Sequence, residues 1–219
     1  MSDADVERVV SALRQALGAE DAVAKRAFDL LVAALALLLL APLLLGVALW
    51  VRLDSPGPVL YRQERVGRHG VPFMIHKFRT MRAGAEGLAL TVGDDPRITR
   101  AGRFLRRTRI DELPQLIDVL RGAMSLVGPR PEVPRYVALY PAGLRERALA
   151  VRPGITDPAS LAFINESELL ARAADPEHEY VHVILPAKLQ RAADYADSAS
   201  LATDLRVLWQ TARLLLRGG

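Results

Sequence analysis

Residues 30–51 read LLVAALALLLLAPLLLGVALWV, twenty-two positions without a charge. At ~1.5 Å per helical residue this run covers roughly 33 Å, enough for a bilayer hydrocarbon core. The reading is a membrane helix, and a buried core helix is the alternative. It is not an ordinary cleaved signal peptide, because it begins deep in the chain and ends without a small-x-small cleavage site. Lys25 and Arg26 precede it, while Arg52 follows it and leads into Arg62, Arg65 and Arg68. Basic flanks favour the cytoplasmic side, so both ends ask for the same face. Pro42, close to the centre, removes a backbone donor and crowds the preceding turn. Residues 25–53 are therefore expected as a re-entrant helix-break-helix, broken near Pro42. A proline that only bends a spanning helix is the competing reading.

Outward from this segment, the 219-residue chain has room for an anchor and one sizeable domain. In residues 1–24, Val6, Val9, Val10, Leu13 and Leu17 recur at helical spacing, which predicts an amphipathic helix ending at Gly18. Residues 54–219 are expected as a cytosolic domain. There, Val59–Glu64 and Val71–Phe78 read as strands separated by Gly67-Arg68-His69-Gly70, a β-hairpin. Gly102–Arg109 and Asp111–Leu120 read as short helices, and Asp175–Leu185 as a helix or extended arm. Amphipathic helical patterns follow Pro186, with Trp209 and Leu214–Leu216 free to touch a membrane interface or pack on the core. The expected fold is mostly α with a small β-hairpin (α+β), an N-terminal membrane segment and surface amphipathic helices. With no cysteine, disulfides and thiolate metal sites are excluded.

Charge singles out one region. Residues 52–135 hold 16 Lys and Arg against 9 Asp and Glu, whereas the segments on either side are slightly acidic. Within the basic block stands RRTRIDELPQLIDVLRGAMSLVGPRP, residues 106–131, with adjacent carboxylates at Asp111 and Glu112. Two acids before a helix are ordinary capping. Their setting among Arg106, Arg107, Arg109, Arg121 and Arg130 is not, because cations stabilise a carboxylate as an anion, suited to a nucleophile or metal ligand. Gly128-Pro129-Arg130-Pro131 and Val151-Arg152-Pro153-Gly154 are stiff loops able to aim a guanidinium. A membrane-tethered basic protein that binds anionic lipid or nucleic acid without catalysis is the rival reading. Nucleic acid is disfavoured, since aromatic interleaving for base stacking is missing and the acidic pair repels a polyanion.

Six blocks in order carry a resemblance. Lys25-Arg26-x-Phe28-Asp29, Ser55-Pro56-Gly57-Pro58-Val59, Lys77-Phe78-Arg79-Thr80-Met81, Asp95-Pro96-Arg97-Ile98-Thr99, Asp111-Glu112-Leu113-Pro114-Gln115 and Ser125 to Glu132 resemble the bacterial sugar transferases, the monotopic phosphoglycosyl transferases. The resemblance implies transfer of a sugar 1-phosphate from a nucleotide diphosphate sugar, here a UDP-sugar, to polyprenol (undecaprenyl) phosphate. It places the enzyme among membrane phospholipids at the cytoplasmic face of the bacterial inner membrane, in the family's minimal catalytic form. It implies Asp111 as nucleophile and ligand of Mg²⁺, and Glu112 as its dyad partner. Arg106, Arg130 and Arg152 are implied in phosphate binding, as are Lys77 and Arg79. Two departures stand out. Ala41 precedes Pro42 where many members have Ser, and Asp157-Pro158-Ala159-Ser160 replaces the family's Gly-Trp-Ala-Gln, which leaves the donor sugar open.

Overall fold

The computed structural model describes residues 3–84 and 90–216, with residues 3–20 described by backbone alone. In chain order the elements are α1 (Asp3–Asp54), β1 (Leu60–Val66), β2 (Pro72–Phe78), α2 (Arg100–Thr108), α3 (Gln115–Leu120), β3 (Ser125–Val127), α4 (Pro134–Val137), α5 (Ala142–Ala148), β4 (Gly154–Thr156), α6 (Pro158–Ala162), α7 (Glu166–Arg172), α8 (Pro176–Glu179), α9 (Leu185–Asp197) and α10 (Leu201–Leu216). A π-helical turn, Tyr180–Ile184, joins α8 to α9. The expected mostly helical architecture with a small hairpin is what the chain adopts.

Helix α1 corrects two local expectations. It does not end at Gly18, because a glycine costs a helix only ~1 kcal/mol and Ala19 to Lys25 resume strong helix formers. Nor does the helical pattern stop at Pro42, which lies inside the 52-residue element. A proline forfeits one backbone hydrogen bond, and the leucines on either side sustain the rest.

What α1 touches is more informative than its length. At the start of the apolar run, Lys25 donates to the Val127 carbonyl at 3.0 Å and pairs with Asp204 of α10. Arg26 caps α3 through the Val119 carbonyl at 2.8 Å. Asp29, fully buried, accepts from Ser125 Oγ at 2.8 Å and from the Leu126 amide at 3.1 Å. At the other end, Val47 and Val51 are buried with Phe78 and Leu105, and the Trp50 ring lies 5.5 Å from Phe104. Asp54 closes the contact by accepting from the Ala101 amide at 3.0 Å. Both flanks therefore dock on one domain. The opposite face leaves Leu31, Leu35, Leu38, Leu39, Leu45, Leu49 and Leu53 exposed, and only 11% of the most apolar window is buried. Leaving seven leucines in water forgoes roughly 10 kcal/mol of burial, so this face demands an apolar environment.

The hairpin pairs Leu60 with Phe78 and Val66 with Pro72, extending the first strand two residues beyond its expected end. On β2 the His76 amide donates to Asp118 Oδ2 at 2.9 Å, while His76 Nδ1 faces Asp118 Oδ1 at 2.6 Å. This double contact fixes β2 against α3. The neighbouring residue Lys77 extends toward Glu112. A second sheet, parallel and two-stranded, pairs β3 with β4. There a Cβ on Gly128 would meet the Arg152 carbonyl at 2.2 Å, and one on Gly154 would meet the Gly128 amide at 2.0 Å. Only glycine fits this approach.

Candidate active site

Helix α2 is capped by Thr99, whose side chain accepts from the Gly102 amide, and ends at Arg109 in the left-handed conformation at φ 59°. That conformation costs a non-glycine residue roughly 1 kcal/mol and turns the chain abruptly. The turn carries Ile110–Glu112 into a 3₁₀ helix in which Asp111 and Glu112 are both buried. The expected single helix from Asp111 to Leu120 is thus a 3₁₀ turn followed by α3.

The two carboxylates differ in their partners. Glu112 Oε1 accepts from Lys77 Nζ at 3.1 Å and from Arg130 Nη2, and its Oε2 accepts from Arg130 Nη1 at 3.1 Å. Burial alone would raise its pKa, but Arg130 and Lys77 reverse this and hold it well below the usual carboxylate range. Asp111 Oδ1 is buried with no hydrogen-bond partner. Burial first, and then the charge of Glu112, push the Asp111 pKa up to about 6 against the pull of Lys77, Arg106 and Arg130. One acid is a clamped anion. Its neighbour is a carboxyl held ready for a partner.

Around the pair, each cation is held differently. Arg130 sits in a loop fixed from four directions. Its amide donates to Asp157 Oδ2 at 3.2 Å, Arg65 donates to the Pro131 carbonyl at 3.0 Å, Arg65 also lies 3.6 Å from Glu132, and Tyr180 donates to Glu132 at 2.8 Å. Arg106 is held by neutral groups, donating from Nε to Thr80 Oγ1 and from Nη1 to Thr91 Oγ1, each at 2.9 Å. Hydroxyls position a guanidinium without neutralising it, so its charge stays directed at Asp111. Lys77 is partly buried, its side chain 17% exposed, and that burial lowers its pKa against the pull of Glu112.

The structure thus brings Asp111, Glu112, Lys77, Arg106 and Arg130 together, and leaves two of the expected residues out. Arg79 donates all five of its N–H groups to the chain, to Pro58, Pro56, Ser55 and Val51 carbonyls and to Ser55 Oγ. It has no donor left for a phosphate and acts as the clasp between α1 and the 55–58 loop. Arg152 donates to the Gly122 carbonyl at 2.9 Å and lies beside Arg26, not at the acidic pair. Sequence reasoning gave no role to Thr80, although it lies in the Lys77 to Met81 block, nor to Thr91, whose only signal is proximity in the fold. It noticed Asp157 as a departure, but not that this carboxylate also caps α6 through the Ser160 amide at 2.7 Å while gripping the Arg130 loop.

Among the described residues, no three His, Cys, Asp or Glu side chains converge as a metal cage. A Mg²⁺ ion needs none, since it takes one or two carboxylates and completes its shell with water and substrate phosphates. Asp111 Oδ1, buried and unpartnered, fits that demand, whereas both oxygens of Glu112 are already taken.

Known proteins share this sequence along most of its length. An exopolysaccharide production protein from Rhizobium leguminosarum bv. phaseoli is 39% identical over 203 residues, covering 87% of this chain and 94% of that protein. A UDP-glucose:undecaprenyl-phosphate glucose-1-phosphate transferase from Caulobacter vibrioides is 42% identical over 196 residues, covering 88% of this chain and 69% of that protein. A UDP-N-acetylgalactosamine-undecaprenyl-phosphate N-acetylgalactosaminephosphotransferase from Aeromonas hydrophila is 36% identical over 198 residues, covering 89% and 44% respectively. Residues 20–218 match the family described as bacterial sugar transferase, a span that takes in the docked helix, the acidic pair and every cation around it, and the chain belongs to that family.

Proposed function

We propose that this protein transfers a sugar 1-phosphate from a UDP-sugar to polyprenol phosphate, working from the cytoplasmic face of the inner membrane, with Asp111 as the covalent acceptor. The observation that carries the reading is the asymmetry of the acidic pair, a clamped Glu112 beside an Asp111 whose buried oxygen has no partner. In the first half, an Asp111 oxygen attacks the sugar-bearing phosphorus, the bond to the leaving phosphate breaks, and nucleoside monophosphate departs with its electron pair. In the second, an oxygen of polyprenol phosphate attacks the same phosphorus and the acyl–phosphorus bond breaks, restoring the carboxylate.

Both halves build negative charge on phosphoryl oxygens, and Arg106 meets it with donors its threonines leave free. Glu112 keeps Arg130 and Lys77 in place, and its own charge keeps Asp111 basic enough to attack. A Mg²⁺ ion held through Asp111 Oδ1 would supply charge neutralisation for the diphosphate. The apolar face of α1 lies in the bilayer and returns to the side it entered, a reading supported by the docking of both flanks on one domain. Relatives named for glucose and for N-acetylgalactosamine support a UDP-linked donor.

The test is release of nucleoside monophosphate from a panel of UDP-sugars in the presence of polyprenol phosphate, with intact-protein mass spectrometry for the phosphosugar adduct. Asp111→Asn is expected to abolish both signals. Unchanged release in that variant rejects the mechanism.

A further inference from the structure

Among the described residues, three buried side-chain polar atoms have no hydrogen-bond partner: Asp111 Oδ1, Gln115 Nε2 and Ser160 Oγ. The first is explained by the chemistry proposed above, but Gln115 is not. It is 1% exposed, and an unmatched buried amide donor costs ~1–3 kcal/mol that an apolar side chain of the same length would avoid.

Its position suggests what it serves. Backbone from Ile110 to Leu120 stays helical, through the 3₁₀ turn, Leu113 and Pro114 in the right-handed region, and α3. Positions 111, 115 and 118 follow one another at four- and three-residue spacing, the steps that keep side chains on one helical stripe. Asp118 spends its carboxylate on His76, and Asp111 is open. Between them, Gln115 donates to nothing. Asp111 Oδ1 and Gln115 Nε2 are thus an unpartnered acceptor and an unpartnered donor four residues apart on one helical run.

We propose that Gln115 contacts the substrate, its side-chain N–H₂ donating to a non-bridging oxygen of the phosphoryl group that Asp111 attacks and then carries. This rests on the reading of Asp111 as the acceptor. The site has chemical reason to include such a donor. Lys77 and Arg130 are committed to Glu112, and a further cation against Asp111 would weaken it as a nucleophile. A neutral amide stabilises charge developing on the phosphoryl oxygens without that penalty.

The experiment compares Gln115→Met, which keeps length and removes the donor, and Gln115→Glu, which keeps shape and replaces the donor by an acceptor, with Asp111→Asn. Thermal unfolding, monophosphate release and adduct formation are measured on the full chain in nanodiscs. Gln115→Met is expected to unfold at or above the parent temperature, while kcat for release falls ~10–100-fold with little change in KM. Gln115→Glu is expected to lose at least as much, and it alone decides the matter if the Met variant does not fold. Turnover within twofold of the parent, or a loss matched by a much lower unfolding temperature, overturns the proposal. Release that persists in Asp111→Asn instead removes the acceptor reading on which the proposal stands.

Discussion

Asp111 should behave as an acid with a pKa near 6 whenever no cation occupies its free oxygen. Because an aspartate must be ionised to attack phosphorus, release of nucleoside monophosphate at limiting Mg²⁺ is expected to rise with pH through about 6. Saturating Mg²⁺, which favours the anion, should move that midpoint down by a unit or so. A rate flat from pH 5 to 8 at low Mg²⁺ would contradict this. The same shift has a stability sign. A carboxyl whose folded pKa lies above its unfolded value of 3.8 contributes stability that is complete below the unfolded value and lost as pH climbs through the folded one. Asp111→Asn carries no such loss, so the variant should melt several degrees above the parent at pH 7.5, with the gap closing by pH 4. Equal melting temperatures at pH 7.5 would show that the metal-free acid is not destabilised. From the sequence, the two acids in a basic block are legible. Their division of labour is not, because it depends on Lys77, 35 residues before Glu112, and Arg130, 18 residues after it.

Elements deliver these side chains, and the places where elements touch backbone to backbone are the least forgiving. A Cβ on Gly102 would stand 2.0 Å from the Thr80 carbonyl, inside the contact that lets Arg106 reach Thr80 Oγ1. Gly128 and Gly154 are equally tight between β3 and β4, and Gly128 leads directly into the Arg130 loop. Alanine at any of the three has to push strands or helix apart. Gly128→Ala and Gly154→Ala are expected to lose more than tenfold in turnover by displacing Arg130, together with ~2 kcal/mol or more of stability. Arg79→Lys tests the opposite kind of residue. One ammonium cannot replace five oriented donors, so unfolding temperature should fall by several degrees while KM for the UDP-sugar holds. A raised KM with unchanged stability would return Arg79 to the substrate. The hairpin was readable because Gly67 and Gly70 punctuate two runs of strand-forming residues. The β3–β4 pair was hidden, since three residues carry no period and their pairing is set by glycines 26 residues apart.

For the molecule as a whole, the question is how a continuous helix with two docked ends meets a bilayer. From Lys25 to Asp54 the helix is 30 residues, about 45 Å if straight. A span would carry one flank across the membrane, yet Lys25, Arg26 and Asp29 at one end and Trp50 and Asp54 at the other all contact the same polar domain. Undocking either end would strand a buried Asp29 or expose the Val47, Val51, Phe78 and Leu105 cluster, so a crossing is opposed by several kcal/mol at each end. Charge flanks and Pro42 are all the sequence offers toward a re-entrant reading, whereas the partners of Lys25 and Asp29 lie roughly a hundred residues or more away and that of Asp54 lies 47 away, so none could be read from the segment itself. The chain has no cysteine, so single cysteines at Asp21 and Arg62, both exposed, report the two flanks cleanly. A membrane-impermeant maleimide should label both in inverted inner-membrane vesicles and neither in intact spheroplasts. Labelling of one site from each side would establish a span. Pro42→Ala, which restores the missing backbone bond and stiffens the helix, should then shift a fraction of molecules toward opposite-side labelling and lower turnover in proportion, because Asp29 holds Ser125 and Leu126 at the start of the strand that leads to Arg130.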